Sequence, residues 1–163
     1  MADESSYSYE ARGWLARFFA FFGIILSRGK QRVTTLGALR RGEPVHLEPS
    51  LTLTDRLGGQ LLFGHVDGVG TITRRRPLAG EVGLEIRVGP RLRRLLVPKG
   101  PVAVDGVSLT VGERLTASTF SVHLIPETLR QTTLRRLAAG DRVNIELDYF
   151  AKLIRQFLRT RTQ

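Results

Sequence analysis

Between residues 61 and 147 the chain alternates apolar and polar side chains with a period of two, which restricts this part to short β-strands. The alternation covers six segments, at residues 61–73, 81–88, 102–104, 107–111, 120–124 and 143–147. Short strands with one buried face leave unpaired edges unless the sheet closes on itself. The sequence therefore predicts an all-β fold, a small, closed, six-stranded antiparallel barrel.

Helical patterns interrupt and follow the predicted strands. Short helices are predicted at residues 90–96 and 126–129, and a stronger helix at 149–161. The last helix carries one wide apolar stripe, formed by Phe150, Leu153, Ile154, Phe157 and Leu158. This stripe could cap the barrel or pack against copies of the chain. Its position after the last strand favours packing between copies, so we expect a homo-oligomer.

An internal repeat defines the organisation of the chain. Thr34-Thr35-Leu36 recurs as Thr132-Thr133-Leu134, an offset of 132 − 34 = 98, and several later positions match at the same offset. A repeat length near one hundred indicates tandem domains rather than a solenoid. Because the first copy has only residues 1–33 in front of it, we expect the end of one domain, a linker and one whole domain.

The expected boundaries follow from this repeat. They are an N-terminal extension at 1–33, the remnant of a preceding barrel with its linker at 34–53, a barrel at 54–148 and a C-terminal helix at 149–163. The extension contains an apolar segment at 14–26, which is shorter than the ~20 residues that span a bilayer. It could be an interfacial helix, a patch that packs against a partner, or a non-native leader. No transmembrane segment is predicted.

Composition narrows the possible functions. The absence of cysteine excludes a thiolate metal site and a cysteine nucleophile, and fits a cytoplasmic compartment. The net charge of +10 invites a nucleic-acid interpretation, but the arginines form short groups without interleaved aromatic residues, so nucleic-acid binding is not predicted. Neither metal-ligand spacing nor a glycine-rich phosphate loop occurs, so no metal or cofactor is expected.

A few polar residues could carry chemistry. Ser108 and Thr110 share one face of a predicted strand, either as part of a ligand site or as ordinary surface residues. His65, next to a glycine, could act as an acid or a base, or be structural. Asp148 could be a base or the N-cap of the last helix. Lys99 could reach a carbonyl or ring nitrogen of a ligand.

Five ordered motifs resemble the carboxy-terminal barrel of riboflavin synthase. They are GHVDGVG at 64–70, PKG at 98–100, VDGVSLTV at 104–111, LIPETL at 124–129 with TTL at 132–134, and NIELD at 144–148. The resemblance extends from Thr34 to Leu158. It implies a six-stranded Greek-key barrel that binds one lumazine, with trimer contacts through carboxy-terminal helices.

The resemblance also implies an activity. Enzymes of this family convert two molecules of 6,7-dimethyl-8-ribityllumazine into riboflavin and a pyrimidinedione by moving a four-carbon unit, without a metal or organic cofactor. Reaction takes place where the first barrel of one subunit faces the second barrel of another. Holding two rings face to face can contribute about 7–11 kcal/mol.

Carried over by motif, the resemblance implies which residues form the site. The catalytic residues would be His65, Ser108, Thr110 and Asp148. The substrate-binding residues would be Gly64, His65, Val66, Lys99, Ser108, Leu109, Thr110, Leu124, Ile125, Pro126, Glu127, Thr128 and Leu129. His65 or water would take a proton from the 7-methyl group of one lumazine, and the two hydroxyl groups would orient the ring.

Two features depart from the family pattern. Gln60 occupies a position where the family usually has histidine, and the first barrel has no counterpart upstream of residue 34. The sequence therefore leaves two hypotheses open. The chain is a riboflavin synthase-type enzyme, or it binds a lumazine or flavin without turning it over.

Overall fold

The computed structural model describes residues 33–47, 54 and 59–161. Its six strands are β1 (Gly68–Leu78), β2 (Glu81–Arg87), β3 (Pro101–Val104), β4 (Val107–Leu115), β5 (Thr119–Leu124) and β6 (Arg142–Leu147). They form a closed barrel in the order β1-β2-β5-β4-β3-β6, with every pair antiparallel. Because β3, β4 and β5 are consecutive neighbours and β6 returns beside β3, the topology is a Greek key. The predicted fold class is confirmed.

The alternating apolar residues form the interior of this barrel. Val82, Leu84 and Ile86 of β2 are buried, as are Phe120 and Val122 of the neighbouring strand β5. Burying such side chains stabilises the fold by about 1.5–3 kcal/mol each. The period of two therefore reports directly which face of each strand points inward.

The first strand differs most from its prediction. Residues 61–67 lie outside the strands, and β1 begins at Gly68 and continues to Leu78. The pairing of β1 with β2 shifts register between Ile72 and Arg74, as a β-bulge does. Such a bulge changes which face the later residues occupy, so the arginine-rich end of β1 shows no alternation.

Three α-helices and two 3₁₀ turns complete the described part. The helices are α1 (Pro90–Arg93), α2 (Pro126–Gln131) and α3 (Tyr149–Thr160), and the 3₁₀ turns are Leu36–Ala38 and Thr133–Arg136. The apolar stripe of α3 is exposed, with 47–61% of each side chain accessible in the single chain. The predicted extension at 1–33 lies almost entirely outside the described residues.

The repeat is visible in the backbone as well as in the sequence. Both copies contain a 3₁₀ turn followed by a glycine with positive φ, 91° at Gly42 and 99° at Gly140. The carboxylates of Glu43 and Asp141 then each accept a hydrogen bond from the backbone N–H three residues upstream, at 3.1 and 2.8 Å. The first copy therefore keeps the local conformation of the second.

The two copies also contact each other reciprocally. Thr35 donates its backbone N–H to Asn144 Oδ1 at 2.7 Å and accepts from Asn144 Nδ2 at 2.8 Å. Thr133 donates its backbone N–H to His46 Nε2 at 2.9 Å. At the offset of 98, Thr35 corresponds to Thr133 and His46 to Asn144. The segment 33–47 thus docks on the barrel through two equivalent contacts, as around a local two-fold axis.

Asp105 lies at the centre of these contacts. Its Oδ1 accepts hydrogen bonds from Asn144 N at 2.7 Å and Nδ2 at 3.2 Å, and its backbone oxygen accepts from His46 Nδ1 at 2.8 Å. Burial raises the pKa of the Asp105 carboxyl, although the hydrogen bonds from Asn144 and the charge interaction with His46 oppose the shift. The residue adopts φ 47°, a conformation that aspartate and asparagine tolerate better than most residues.

We predict that Gly70→Ala destabilises the barrel. A Cβ at Gly70 would lie 2.7 Å from Ile86 Cγ2 and 3.3 Å from the backbone oxygen of Arg87, so β2 would have to shift. Overpacking of this kind costs about 1–3 kcal/mol in the free energy of unfolding, measurable by urea denaturation. Gly89→Ala is the matched control, because nothing described lies within 4 Å of its added Cβ. Equal stability of the two variants would contradict the packing argument.

We predict that Asp105→Asn changes the pH dependence of stability. The native state holds the Asp105 proton more tightly than the unfolded state, so this contribution is present at low pH and is lost as the pH rises above about 4. Asparagine keeps an oxygen acceptor but does not titrate. The unfolding free energy of the variant minus that of the wild type should therefore increase between pH 4 and pH 7. A difference that stays flat would show that the pKa of Asp105 is not raised, and a difference that decreases would show that it is lowered.

Candidate functional site

A groove of about 930 Å³ runs across the outer face of the barrel over β4, β5 and β2. Ser108 and Thr110 are exposed on β4, where they alternate with the buried Leu109 and Val111. Ser121 and His123 of β5 also line the groove and pair in register with Glu85 and Gly83 of β2. The floor is therefore a polar sheet surface, which lies directly over the apolar interior.

The Ser108 hydroxyl has a defined hydrogen bond. Its Oγ donates to Gln60 Oε1 at 2.9 Å. Because the hydroxyl proton is used in this way, the oxygen of Ser108 keeps its lone pairs for a donor in the groove. Gln60 Nε2 is buried and has no hydrogen-bond partner in the described structure. Gln60, which stands where the family usually has histidine, thus sets the direction of the Ser108 hydroxyl.

Lys99 stands at the wall of the groove on a tight turn. Its φ is 63°, and two backbone hydrogen bonds of 2.9 Å fix the turn to β4, from Lys99 N to Val111 O and from Val111 N to Gly100 O. Its ammonium lies 3.1 Å from Glu113, but both side chains are more than 70% exposed. Such a pair contributes little to stability, so Lys99 remains available to a ligand.

The segment that begins α2 supplies the opposite wall. Ile125 and Thr128 line the groove, and Ile125 is half exposed. Leu124 is fully buried in the core, and Leu129 packs partly against it. The remaining predicted residues of this segment, Pro126 and Glu127, do not line the groove. The structure thus brings six predicted residues together here: Lys99, Ser108, Leu109, Thr110, Ile125 and Thr128.

The structure places Gly64, His65 and Val66 away from the lining of this groove. The ring of His65 stacks on Phe63 at 5.9 Å between centroids, and Phe63 lies 5.2 Å from the ring of Tyr149 at the start of α3. The catalytic role of His65 therefore remains a prediction.

Asp148 is the N-cap of α3. Its Oδ1 accepts hydrogen bonds from Phe150 N at 2.6 Å and Ala151 N at 3.2 Å. This geometry is the one expected if Asp148 caps the helix. An aspartate N-cap stabilises a helix by about 1 kcal/mol. A role for Asp148 in catalysis remains a prediction, because both observed bonds serve the helix.

Sequence reasoning missed two carboxylates that hold the 60–67 segment. Asp67 Oδ2 accepts from Leu147 N and from Lys152 Nζ, both at 2.8 Å. Glu146 is only 6% exposed, and its Oε1 accepts from Phe63 N at 2.9 Å. The partners lie about 80 positions apart in the chain, so no local pattern could reveal them.

Sequence reasoning also missed Ser121 and His123 as groove residues. Their alternation with buried residues was visible, but alternation does not say which strands are neighbours. They lie beside Thr110 because β5 pairs with both β2 and β4 in the barrel.

A metal-binding cluster and a membrane-spanning helix are both absent from the described residues. No group of three or more histidine or acidic residues in this part could hold a metal ion. No helix there is long and apolar enough to cross a membrane.

The described part is thus a closed Greek-key barrel with a groove of small-molecule size on its outer face. The model of the lumazine-binding domain family matches residues 63–148, more than half of the chain. The chain therefore belongs to the lumazine-binding domain family.

Several curated relatives are named riboflavin synthase. The chain is 38% identical over 125 residues to that of Actinobacillus pleuropneumoniae, covering 77% of this chain and 58% of the relative. It is 39% identical over 127 residues to that of Bacillus subtilis, covering 78% and 59%, and 42% identical over 121 residues to that of Brucella abortus, covering 74% and 59%. The chain thus spans less than two thirds of the length of these relatives.

Solved structures with a similar fold include two of LumP. One, complexed with 6,7-dimethyl-8-(1'-D-ribityl) lumazine, has a TM-score of 0.62 at 23% identity, covering 71% of this chain and 61% of that chain. The other, complexed with riboflavin, has a TM-score of 0.53 at 21% identity, covering 57% and 50%. At these identities the likeness supports the fold.

Proposed function

We propose that the groove binds the ring of 6,7-dimethyl-8-ribityllumazine or a flavin, and that the chain is a riboflavin synthase-type transferase. The observation that carries this proposal is a ligand-sized groove with two hydroxyl groups on its floor, in a chain of the lumazine-binding domain family. The names of the matched relatives support the same reaction.

The groove suits a flat heterocycle with polar edges. The oxygen of Ser108 is free to accept a ring N–H, because its own proton is donated to Gln60. Thr110 and Thr128 offer further hydroxyl groups, and Ile125 offers an apolar surface to a ring face. A few well-placed polar groups beside apolar contacts are typical of small-molecule sites.

In the proposed reaction two lumazine molecules give one riboflavin and one ribitylaminopyrimidinedione. One ring donates four carbons to the other, so no external oxidant is needed. His65 lies outside the groove of its own barrel, so His65 or water would accept the proton from the 7-methyl group of a ring held by a facing barrel, and Asp148 would assist near the barrel contact. The second ring would be held by another barrel, which a second copy of the chain could provide.

A second candidate is a ring-binding protein without turnover. The described part contains one closed barrel with one such groove. In the first copy of the repeat, residues 44–47 form no strand, and Val45 and Leu47 are exposed where their counterparts Val143 and Ile145 are fully buried. The described residues therefore offer a site for one ring.

We predict that Ser108→Ala and Thr110→Val each weaken ring binding about tenfold, because each removes a hydrogen bond worth roughly 1–1.5 kcal/mol. Fluorescence titration with the lumazine and with riboflavin would measure the dissociation constants. Ser118→Ala is the matched control, since Ser118 is exposed outside the groove. Unchanged affinity in both groove variants would refute the proposed site.

We predict that His65→Ala lowers the rate of riboflavin formation more than it weakens ring binding, because His65 does not line the groove. Single-turnover formation of riboflavin would be compared with the titrated affinity. Riboflavin formation by the wild type would support the transferase, whereas tight binding without product would support the second candidate. Loss of affinity in parallel with rate would contradict the role assigned to His65.

We predict that the exposed stripe of α3 joins copies of the chain. Phe157→Glu should lower the molar mass measured by light scattering, because Phe157 is 60% exposed in the single chain and a charge cannot be buried in an apolar contact. Arg159→Glu, on the same helix but outside the stripe, is the control. A wild-type protein that is already monomeric would rule out this contact.

A further inference from the structure

A second pocket lies where the segment 33–47 meets the barrel. It has a volume of about 350 Å³ and shares no residue with the groove. Residues 44–47 line one wall, and the end of α2 with the following 3₁₀ turn lines the other. This second wall includes three arginines, Arg130, Arg135 and Arg136.

Among the described residues, few carboxylates offset the positive charge of these three arginines. Arg130 pairs with Glu127. Within residues 33–47 and 59–161, no carboxylate lies within ion-pair distance of Arg135 or Arg136. Like charges gathered around one cavity repel each other, and a bound anion would remove that repulsion.

His46 holds one wall of the pocket in place. Its Nε2 accepts the backbone N–H of Thr133 at 2.9 Å. Its Nδ1 donates to Asp105 O at 2.8 Å. The position of the 44–47 wall relative to the arginines is thus set by two hydrogen bonds of one side chain.

The repeat shows that the fold itself does not require these arginines. At the offset of 98, Arg135 and Arg136 correspond to Gly37 and Ala38 in the first copy. Both copies nevertheless form the same 3₁₀ turn. The turn therefore forms without the arginine pair. The folding of the turn does not explain why two like charges stand side by side there.

We propose that this pocket binds a phosphate group, either as inorganic phosphate or as a phosphate monoester. Guanidinium groups match the geometry of phosphate oxygens and bind them through paired, charge-assisted hydrogen bonds. The volume is at the small end of ligand pockets, which suits a phosphate group better than a flavin. The site is independent of the ring-binding groove, so either can exist without the other.

The full chain would be titrated by calorimetry with inorganic phosphate and, separately, with glycerol 3-phosphate, with chloride keeping the ionic strength constant. We expect saturable binding of one phosphate group per chain. The double variant Arg135→Gln, Arg136→Gln should weaken it at least about tenfold. Arg91→Gln, Arg94→Gln removes the same charge outside both cavities and should change the affinity less than about twofold.

Hydrogen exchange provides a second readout. Because residues 44–47 form one wall, bound phosphate should slow exchange of the backbone amides of residues 45–47 in the wild type and in the control variant, but not in the Arg135, Arg136 variant. Binding of both ligands would indicate a site for the phosphate group itself, and binding of the monoester alone would indicate a phosphorylated metabolite. Absence of saturable binding, or an equal loss of affinity in the two double variants, would overturn the proposal.

Discussion

Strand β6 is the element on which the rest of the structure depends. Its backbone closes the barrel by pairing with β1 on one side and β3 on the other. Its inward residues fill the core, and two of its outward residues, together with the residue that follows the strand, each hold a different peripheral segment. Asn144 holds the segment 33–47, Glu146 holds the chain at Phe63, and the following Asp148 caps α3. One strand therefore sets the positions of three elements that have no strand pairing of their own.

This arrangement explains what could be predicted from the sequence. Five of the six strands lie close to their predicted segments, because apolar and polar residues alternate there in the sequence. Strand β4 continues beyond its predicted end at residue 111 to Leu115, past a shift in its register with β5. The predicted bounds of β1 were wrong at both ends. Residues 61–67 resemble a strand in sequence but lie outside the sheet, and the bulge breaks the alternation in the second half of β1. The barrel itself followed from the need to remove sheet edges, and the structure bears this out.

The groove was predictable only in part. Ser108, Thr110 and Lys99 were identified from short motifs, and the structure brings all three to one groove. Ser121 and His123 depend on the strand order, which no local pattern contains. The buried role of Glu146 depends on a hydrogen bond to a residue 83 positions away. Long-range contacts of this kind are fixed by topology and packing, so periodicity alone cannot supply them.

The reciprocal contacts between the two copies have a consequence for mutation. A contact in which one position binds a second, and the second binds the first, also forms between two identical, separate molecules. Between such molecules a mutation changes both halves of the contact at once. Within one chain the two halves are separate positions, and they differ here: histidine stands at position 46 and asparagine at position 144, yet each accepts the N–H of its threonine. A substitution at either position would therefore disturb one contact and leave the other intact.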